Sequence, residues 1–353
     1  MTMDTARQEM AQLYLADETT VVEALLPLAR LSADERARTE ALARDLVARV
    51  RAQRKRGGLD AFLHQYALST EEGVVLMCLA EALLRVPDAE TADRLIKDKI
   101  GSAHWDKHLG QSSSVFVNAS TWALMLTGHV VKLGEGPQDW TAILGKLVQR
   151  SGEPIIRQAM TTAMRIMGGQ FVLGRTIAEA LKRGADAAKR GFRFSFDMLG
   201  EAAMTHDDAE RYARAYADAI GAIAKHERTR QCDVFTRNSI SVKLSAVHPR
   251  LEFVKMNRVL PEIMPRLLPL CVAAKQAGIG FTIDAEEADR LEVQLDIFEA
   301  LAAAPELKGW EGLGLAVQAY QKRAPAVIDF LAGVATRHQR RLPVRLVKGA
   351  YWD

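Results

Sequence analysis

Short apolar stretches in the second half of the chain, RFSFDM, SISVKLS, GFTIDA, LGLAVQ and PVRLVKG, each set a polar or charged residue among alternating apolar ones. Successive side chains of a strand point to opposite faces. One side therefore takes Phe194 and Phe196, Val242 and Leu244, Phe281 and Ile283, Leu313, Leu315 and Val317, and Val344 and Leu346. The other side collects Asp197, Lys243, Asp284, Gln318 and Arg345. Residues 207–226, 258–277, 286–303 and 322–340 separate these stretches and carry apolar residues at helical spacing. Strand and helix in alternation predict a parallel sheet. Charged groups near the C-terminal ends of its strands are what the mouth of a (β/α) barrel presents.

The first half has helical spacing almost throughout. Two long helices are predicted over 8–30 and 33–56, the second opened by a capping box of Ser32 and Glu35 and closed by Arg54, Lys55 and Arg56 before Gly57. Cations at a helix C-terminus complement its dipole, so that basic cluster is read as a helix end and not as a nucleic-acid patch. Further helices are expected at 59–68, 70–86, 90–99, 118–132, 137–150 and 153–167, with an exposed loop at 110–114. The fold class is α + α/β: an N-terminal all-helical region followed by an incomplete (β/α)8, TIM-like barrel, with about five of the eight strands that closure needs. A fifth strand followed only by Tyr351, Trp352 and Asp353 is expected to be an unprotected edge, and the isolated chain to aggregate or stay dynamic and to be a poor catalyst.

Composition narrows the function classes. The 353 residues are 48% hydrophobic and 26% charged, with a net charge of +3 and interspersed signs, so no strong field for nucleic acid is implied. Cys78, Cys232 and Cys271 are far apart and lack C-x-x-C spacing, which fits a reducing compartment and excludes a disulfide framework or zinc ribbon. The N-terminus has no secretory signal pattern, and the most apolar run, 73–84, is broken by Glu81 and falls short of the roughly 20 residues of a membrane span. A cytoplasmic protein is expected.

Candidate chemistry gathers on the polar side of the strands. Lys243, flanked by Val242 and Leu244, needs a carboxylate partner or an anionic ligand once desolvated, and Asp197 and Asp284 lie on neighbouring strands. Arg345 is suited to act as a fixed cation beside a ligand that becomes negative, or as a structural ion pair with Asp284 or Glu201. Gln318 offers an amide to a flat heterocycle, or is satisfied by backbone. Gly349, Ala350 and Tyr351 put small residues and then an aromatic at the barrel mouth. His104 and His108 lack an acidic third ligand, so no metal site is assigned, and His248 before Pro249 is read as a strand terminator that caps the loop. Neither a Rossmann glycine fingerprint nor a P-loop occurs.

These residues carry a family resemblance. RFSFDMLGEAAMT, SVKLSAVHPR, FTIDAEEADRLE, LGLAVQAYQKRA and RLVKGAYWD resemble the proline dehydrogenase barrel of the bacterial proline utilization A family, and stretches upstream resemble that family's helical arm and all-helical domain. The resemblance implies an arm over 1–57, a helical domain over 58–172 and the N-terminal part of the barrel over 173–353. It implies FAD in the barrel, hydride removal from C5 of L-proline to the flavin, and electron delivery to membrane quinone, with peripheral contact at the inner face of the membrane. Lys243, Asp284 and Arg345 are implied as catalytic. Lys243, Gln318, Arg345, Ala316 and Gly349 are implied at the flavin, and Lys243, Ala350, Tyr351 and Glu201 at the substrate. The full-length protein is expected to be a homo-oligomer. Met1 leads almost directly into the arm, so no DNA-binding domain is expected. Two other readings remain: a lyase that uses Lys243 as a Schiff-base nucleophile, and a non-catalytic helical association module.

Overall fold

A computed structural model describes residues 3–52, 91, 172–199, 202–227 and 233–349. Contacts divide the chain into two units, Met1–Arg30 with Thr176–Asp353, and Leu31–Arg175. The helices expected between 59 and 167, the loop at 110–114, the cluster Arg54 to Arg56 and the pair His104 and His108 lie outside the described residues.

In the second unit, α3 (Ala33–Ala52) begins as its sequence requires. The Ser32 hydroxyl accepts the Glu35 N–H at 3.3 Å while the Glu35 carboxylate accepts the Ser32 N–H at 2.9 Å. That reciprocal capping box holds the Glu35 carboxyl below its ordinary range, chiefly through the Ser32 hydroxyl.

The first unit opens with α1 (Met3–Tyr14) and α2 (Glu18–Ala29), where one helix over 8–30 was expected. Asp17 is the reason for the break: its carboxylate accepts the Thr20 N–H at 2.8 Å, so a new helix starts there. The alternating half follows as α4 (Ile177–Lys189), β1 (Ser195–Asp197), α5 (His206–Glu227), β2 (Ser239–Val242), the short α6 (Leu244–Val247) and α7 (Met256–Ala277). It continues with β3 (Gly280–Ile283), α8 (Leu291–Ala303), β4 (Leu313–Gln318), α9 (Ala324–Arg337) and β5 (Val344–Val347).

Among the described residues the strands form one parallel sheet in the order β1-β2-β3-β4-β5. Its register aligns the apolar side in rows: Phe196, Ile240, Phe281 and Leu313 pair in succession, and so do Val242, Ile283, Leu315 and Val344. These rows face the helices. Val259, Ile263, Leu267, Leu270 and Ala274 form a buried stripe along α7, and nearly every apolar side chain of α8 is buried. At β5 no described helix follows, and Val344 and Leu346 on this side are exposed. The sheet is a curled half-barrel with its apolar face outward and its polar face inward.

The N-terminal helix belongs to this unit. Ala6 and Met10 are fully buried where α1 packs on α9, and the Arg7 guanidinium lies 4.4 Å from the centre of the Phe330 ring. Arg7 also pairs with Glu292 and Asp296 of α8.

Candidate active site

Register sets which polar side chains share a level. Asp197 pairs with Ser241, Ser241 with Thr282, and Thr282 with Gly314, which makes one inward row. Two residues further along, Lys243, Asp284 and Ala316 come level, and Ala316 pairs with Arg345. Gln318 and Val347 pair one step above. Lys243 differs from its expected setting: β2 ends at Val242, and Leu244 starts α6, so Lys243 is the residue that leaves the strand. Asp284 likewise follows the last residue of β3. Lys243 keeps the inward phase because its backbone is still extended, with φ −87° and ψ 132°, and the Asp284 N–H still bonds to the Val242 carbonyl of the neighbouring strand.

The four charges meet. The Lys243 ammonium lies 2.9 Å from Asp197 Oδ1 and 3.3 Å from Asp284 Oδ2, with 19% of its side chain exposed. The Arg345 guanidinium pairs with the other oxygen of Asp284 and donates to Ser241 Oγ at 2.9 Å. Arg345 reaches β2 from β5 because Gly314 and Ala316 raise no bulk on β4. A Cβ on Gly314 would stand 2.7 Å from the Pro343 carbonyl, so this position admits little else. The expected ion pair of Arg345 with Asp284 is present. Glu201, its other expected partner, lies outside the described residues, as do Ala350 and Tyr351.

Burial is the largest influence on Asp197 and raises its pKa, against the lowering by its bond to Lys243. Asp284 is better supported. Its backbone N–H donates to the Val242 carbonyl at 2.9 Å, and Gln294 Nε2 donates to its carbonyl at 2.9 Å. Gln318 is buried, and its Nε2 donates to the Glu286 carbonyl at 2.8 Å, which leaves the amide oxygen as an acceptor. Gly349 has φ +96°, and a Cβ there would stand 2.3 Å from Tyr320 Cδ1 and 3.0 Å from Gln318 Oε1. Both the backbone conformation and the missing space require glycine.

Sequence reasoning missed several supports. Ser241 shares the parity of Lys243 in SISVKLS, which was the available signal. The buried carboxylate of Glu286 accepts the Ser245 N–H at 2.9 Å and Arg290 at 2.7 Å. It thereby caps α6, whose N-cap residue Lys243 makes no side-chain cap. Tyr216, fully buried on α5, receives the Lys243 N–H on its hydroxyl at 3.3 Å. Nothing in the local pattern marks either residue. His248 ends α6 and not a strand. It is buried, with Nε2 3.2 Å from Glu262 and Nδ1 accepting the Arg250 N–H at 3.1 Å. Among the described residues there is no cluster of His, Cys, Asp and Glu that would hold a metal, and no helix long and apolar enough to cross a membrane.

Comparison with known proteins fits this geometry. Residues 180–353 match the family model described as proline dehydrogenase, and residues 4–51 the one described as the proline utilization A proline dehydrogenase N-terminal domain. Residues 58–171 match the model described as the DNA-binding domain of proline dehydrogenase, which corrects the expectation that no such domain is present. The bifunctional protein PutA of Escherichia coli (strain K12) is 47% identical over 352 residues, 99% of this chain and 26% of that protein. The PutA of Rhizobium meliloti is 46% identical over 351 residues, 99% of this chain and 28% of that protein. Proline dehydrogenase 1 of Bacillus subtilis (strain 168) is 30% identical over 187 residues, 53% of each. A solved mutant of Bradyrhizobium japonicum proline utilization A (PutA) superposes with a TM-score of 0.64 at 50% identity, covering 96% of this chain and 33% of that one. The chain thus spans 26% of the length of the Escherichia coli relative.

Proposed function

We propose, for a chain that resembles the N-terminal part of PutA over almost its whole length, that the barrel segment is a flavin-dependent oxidoreductase that converts L-proline to Δ1-pyrroline-5-carboxylate. The proposal includes FAD as the flavin, membrane quinone as the final acceptor, and a homo-oligomer as the full-length form in the cytoplasm. It divides the chain into an arm over 1–57, a helical domain over 58–172 and the barrel segment over 173–353. The observation that carries it is the meeting of Lys243, Arg345, Asp197 and Asp284 on the concave face, level with the small residue Ala316.

The residues present suit a flat heterocycle. Gly314, Ala316 and Gly349 keep side-chain bulk away from the inward face, and Gln318 offers an amide oxygen at the edge. FAD, when bound, supplies the two-electron acceptor for the C–H bond beside the proline nitrogen. Arg345, already held by Ser241 and Asp284, is a cation fixed in advance. It stabilises negative charge that develops near it without reorganising. Lys243 binds the substrate carboxylate by exchange, because Asp197 and Asp284 neutralise it beforehand. Asp197 is the partner that gives way, since its side chain is 37% exposed against 17% for Asp284. Ala350 and Tyr351 are assigned to the proline ring, and Glu201 to a substrate-binding arginine. The Schiff-base reading is disfavoured: the Lys243 nitrogen is engaged in ion pairs with two carboxylates, whereas imine formation needs a free amine.

The test titrates the chain and a longer protein containing it with FAD, then adds L-proline. Saturable flavin binding is expected. In the longer protein Lys243→Met lowers kcat/KM for proline on the order of 10²-fold with little change in Tm. If neither protein binds FAD, or if borohydride traps a carbonyl compound on Lys243, the proposal fails.

A further inference from the structure

Arg323 is a charged residue placed away from the concave face yet only 3% exposed. Its guanidinium donates through Nε to Gln321 Oε1 at 3.1 Å, through one terminal nitrogen to Glu292 Oε1 at 3.4 Å, and through the other to the Ala288 carbonyl. The Tyr14 ring of α1 lies 4.2 Å from its carbon centre. The next residue back, Lys322, donates to the Ala16 carbonyl at 2.6 Å, just past the C-terminal end of α1. Desolvation lowers the Arg323 pKa more than Glu292 restores it. A cation buried at such cost is kept where several groups need one fixed donor.

Those groups belong to two loops. Ala288 closes the segment that begins with Asp284 and includes Glu286, and Gln321 lies three residues after Gln318. The same loops also meet on the inner side, where Gln318 Nε2 donates to the Glu286 carbonyl. Arg323 therefore pins from outside the two loops whose inner ends hold Asp284 and Gln318. Helix α1 closes over it, although it lies more than three hundred residues earlier in the chain.

We propose that Arg323, covered by Tyr14, is a positioning residue that locks the loops after β3 and β4 in the geometry the site uses. The N-terminal helix is then part of the site's support and not a separate appendage. This rests on the flavin reading for its functional consequence, but the lock itself does not.

The experiment uses the full 353-residue chain and the variants Arg323→Lys, Tyr14→Ala and Tyr14→Phe. It measures amide hydrogen exchange peptide by peptide together with FAD affinity. Arg323→Lys and Tyr14→Ala are expected to speed exchange in 284–290 and 318–323 while α5, β2 and α7 keep their protection, and to weaken FAD binding about tenfold. Tyr14→Phe, which keeps a ring over the guanidinium, is expected to restore both readouts to those of the unmodified chain. Unchanged exchange in the two loops overturns the proposal. So does faster exchange spread evenly through α5 and α7, which would mark a general structural role. If the unmodified chain binds no FAD, the flavin reading is decided by the longer protein, and the exchange pattern alone still decides the lock.

Discussion

At the scale of single residues, titration gives a handle on the loop that carries Lys243. His248 is neutral in the fold: Nδ1 accepts the Arg250 N–H, so the proton resides on Nε2 and faces Glu262. Burial is the largest cause that lowers its pKa below the ordinary 6.5, with His206 and Arg266 acting the same way and the Glu262 bond opposing. The unfolded chain therefore takes up this proton more readily than the folded one. Stability contributed by His248 is fully present above pH 6.5 and is lost as pH falls through the window down to its lower folded value. Urea unfolding between about pH 7 and pH 5 should show a steeper loss for the native chain than for His248→Gln, which cannot titrate. A shallower loss would mean that the pair with Glu262 outweighs burial. The site residues obey the same local logic. Lys243, Asp284 and Arg345 were visible from side-chain parity, but Glu286 and Tyr216 act through a backbone N–H of a distant segment and have no local signature.

At the scale of elements, strands and helices were legible wherever periodicity was sustained over a whole element. The stretch expected as a helix over 258–277 is observed as α7, Met256–Ala277, and five apolar segments became β1 to β5. The misreadings fall at junctions. A cap at Asp17 split one expected helix into α1 and α2, and the tight turn of α6 took Leu244 out of the strand. Such breaks depend on one side chain or one dihedral pair, which apolar spacing does not register. β5 presents Leu346 outward at 63% exposure, where the other strands are covered by helices. In the 353-residue chain Leu346→Lys should lower self-association measured by light scattering, with the far-ultraviolet circular dichroism retained. Equal association would show that this face is not the adhesive one.

At the scale of the molecule, the N-terminal helix and the barrel strands are one unit although the residues between them belong to another. Met10 of α1 is fully buried, so Met10→Ala removes contacts that the whole unit shares. A loss of about 2–5 kcal/mol is expected in urea unfolding followed at Trp310 in a chain whose other four tryptophans are replaced by phenylalanine. An unaltered midpoint would mean that α1 melts independently of the barrel. Sequence alone determined which side chains share a face of each strand, because alternation along a strand is fixed by covalent geometry. It also determined the family resemblance, carried by motifs whose order the chain itself preserves. Only the tertiary structure decided which inward groups come level, that Arg345 crosses a floor of small residues to Ser241, and that α1 closes over Arg323. Those contacts join segments separated by roughly 30 to 300 positions, and their distances follow from sheet curl and helix packing, which no local pattern encodes.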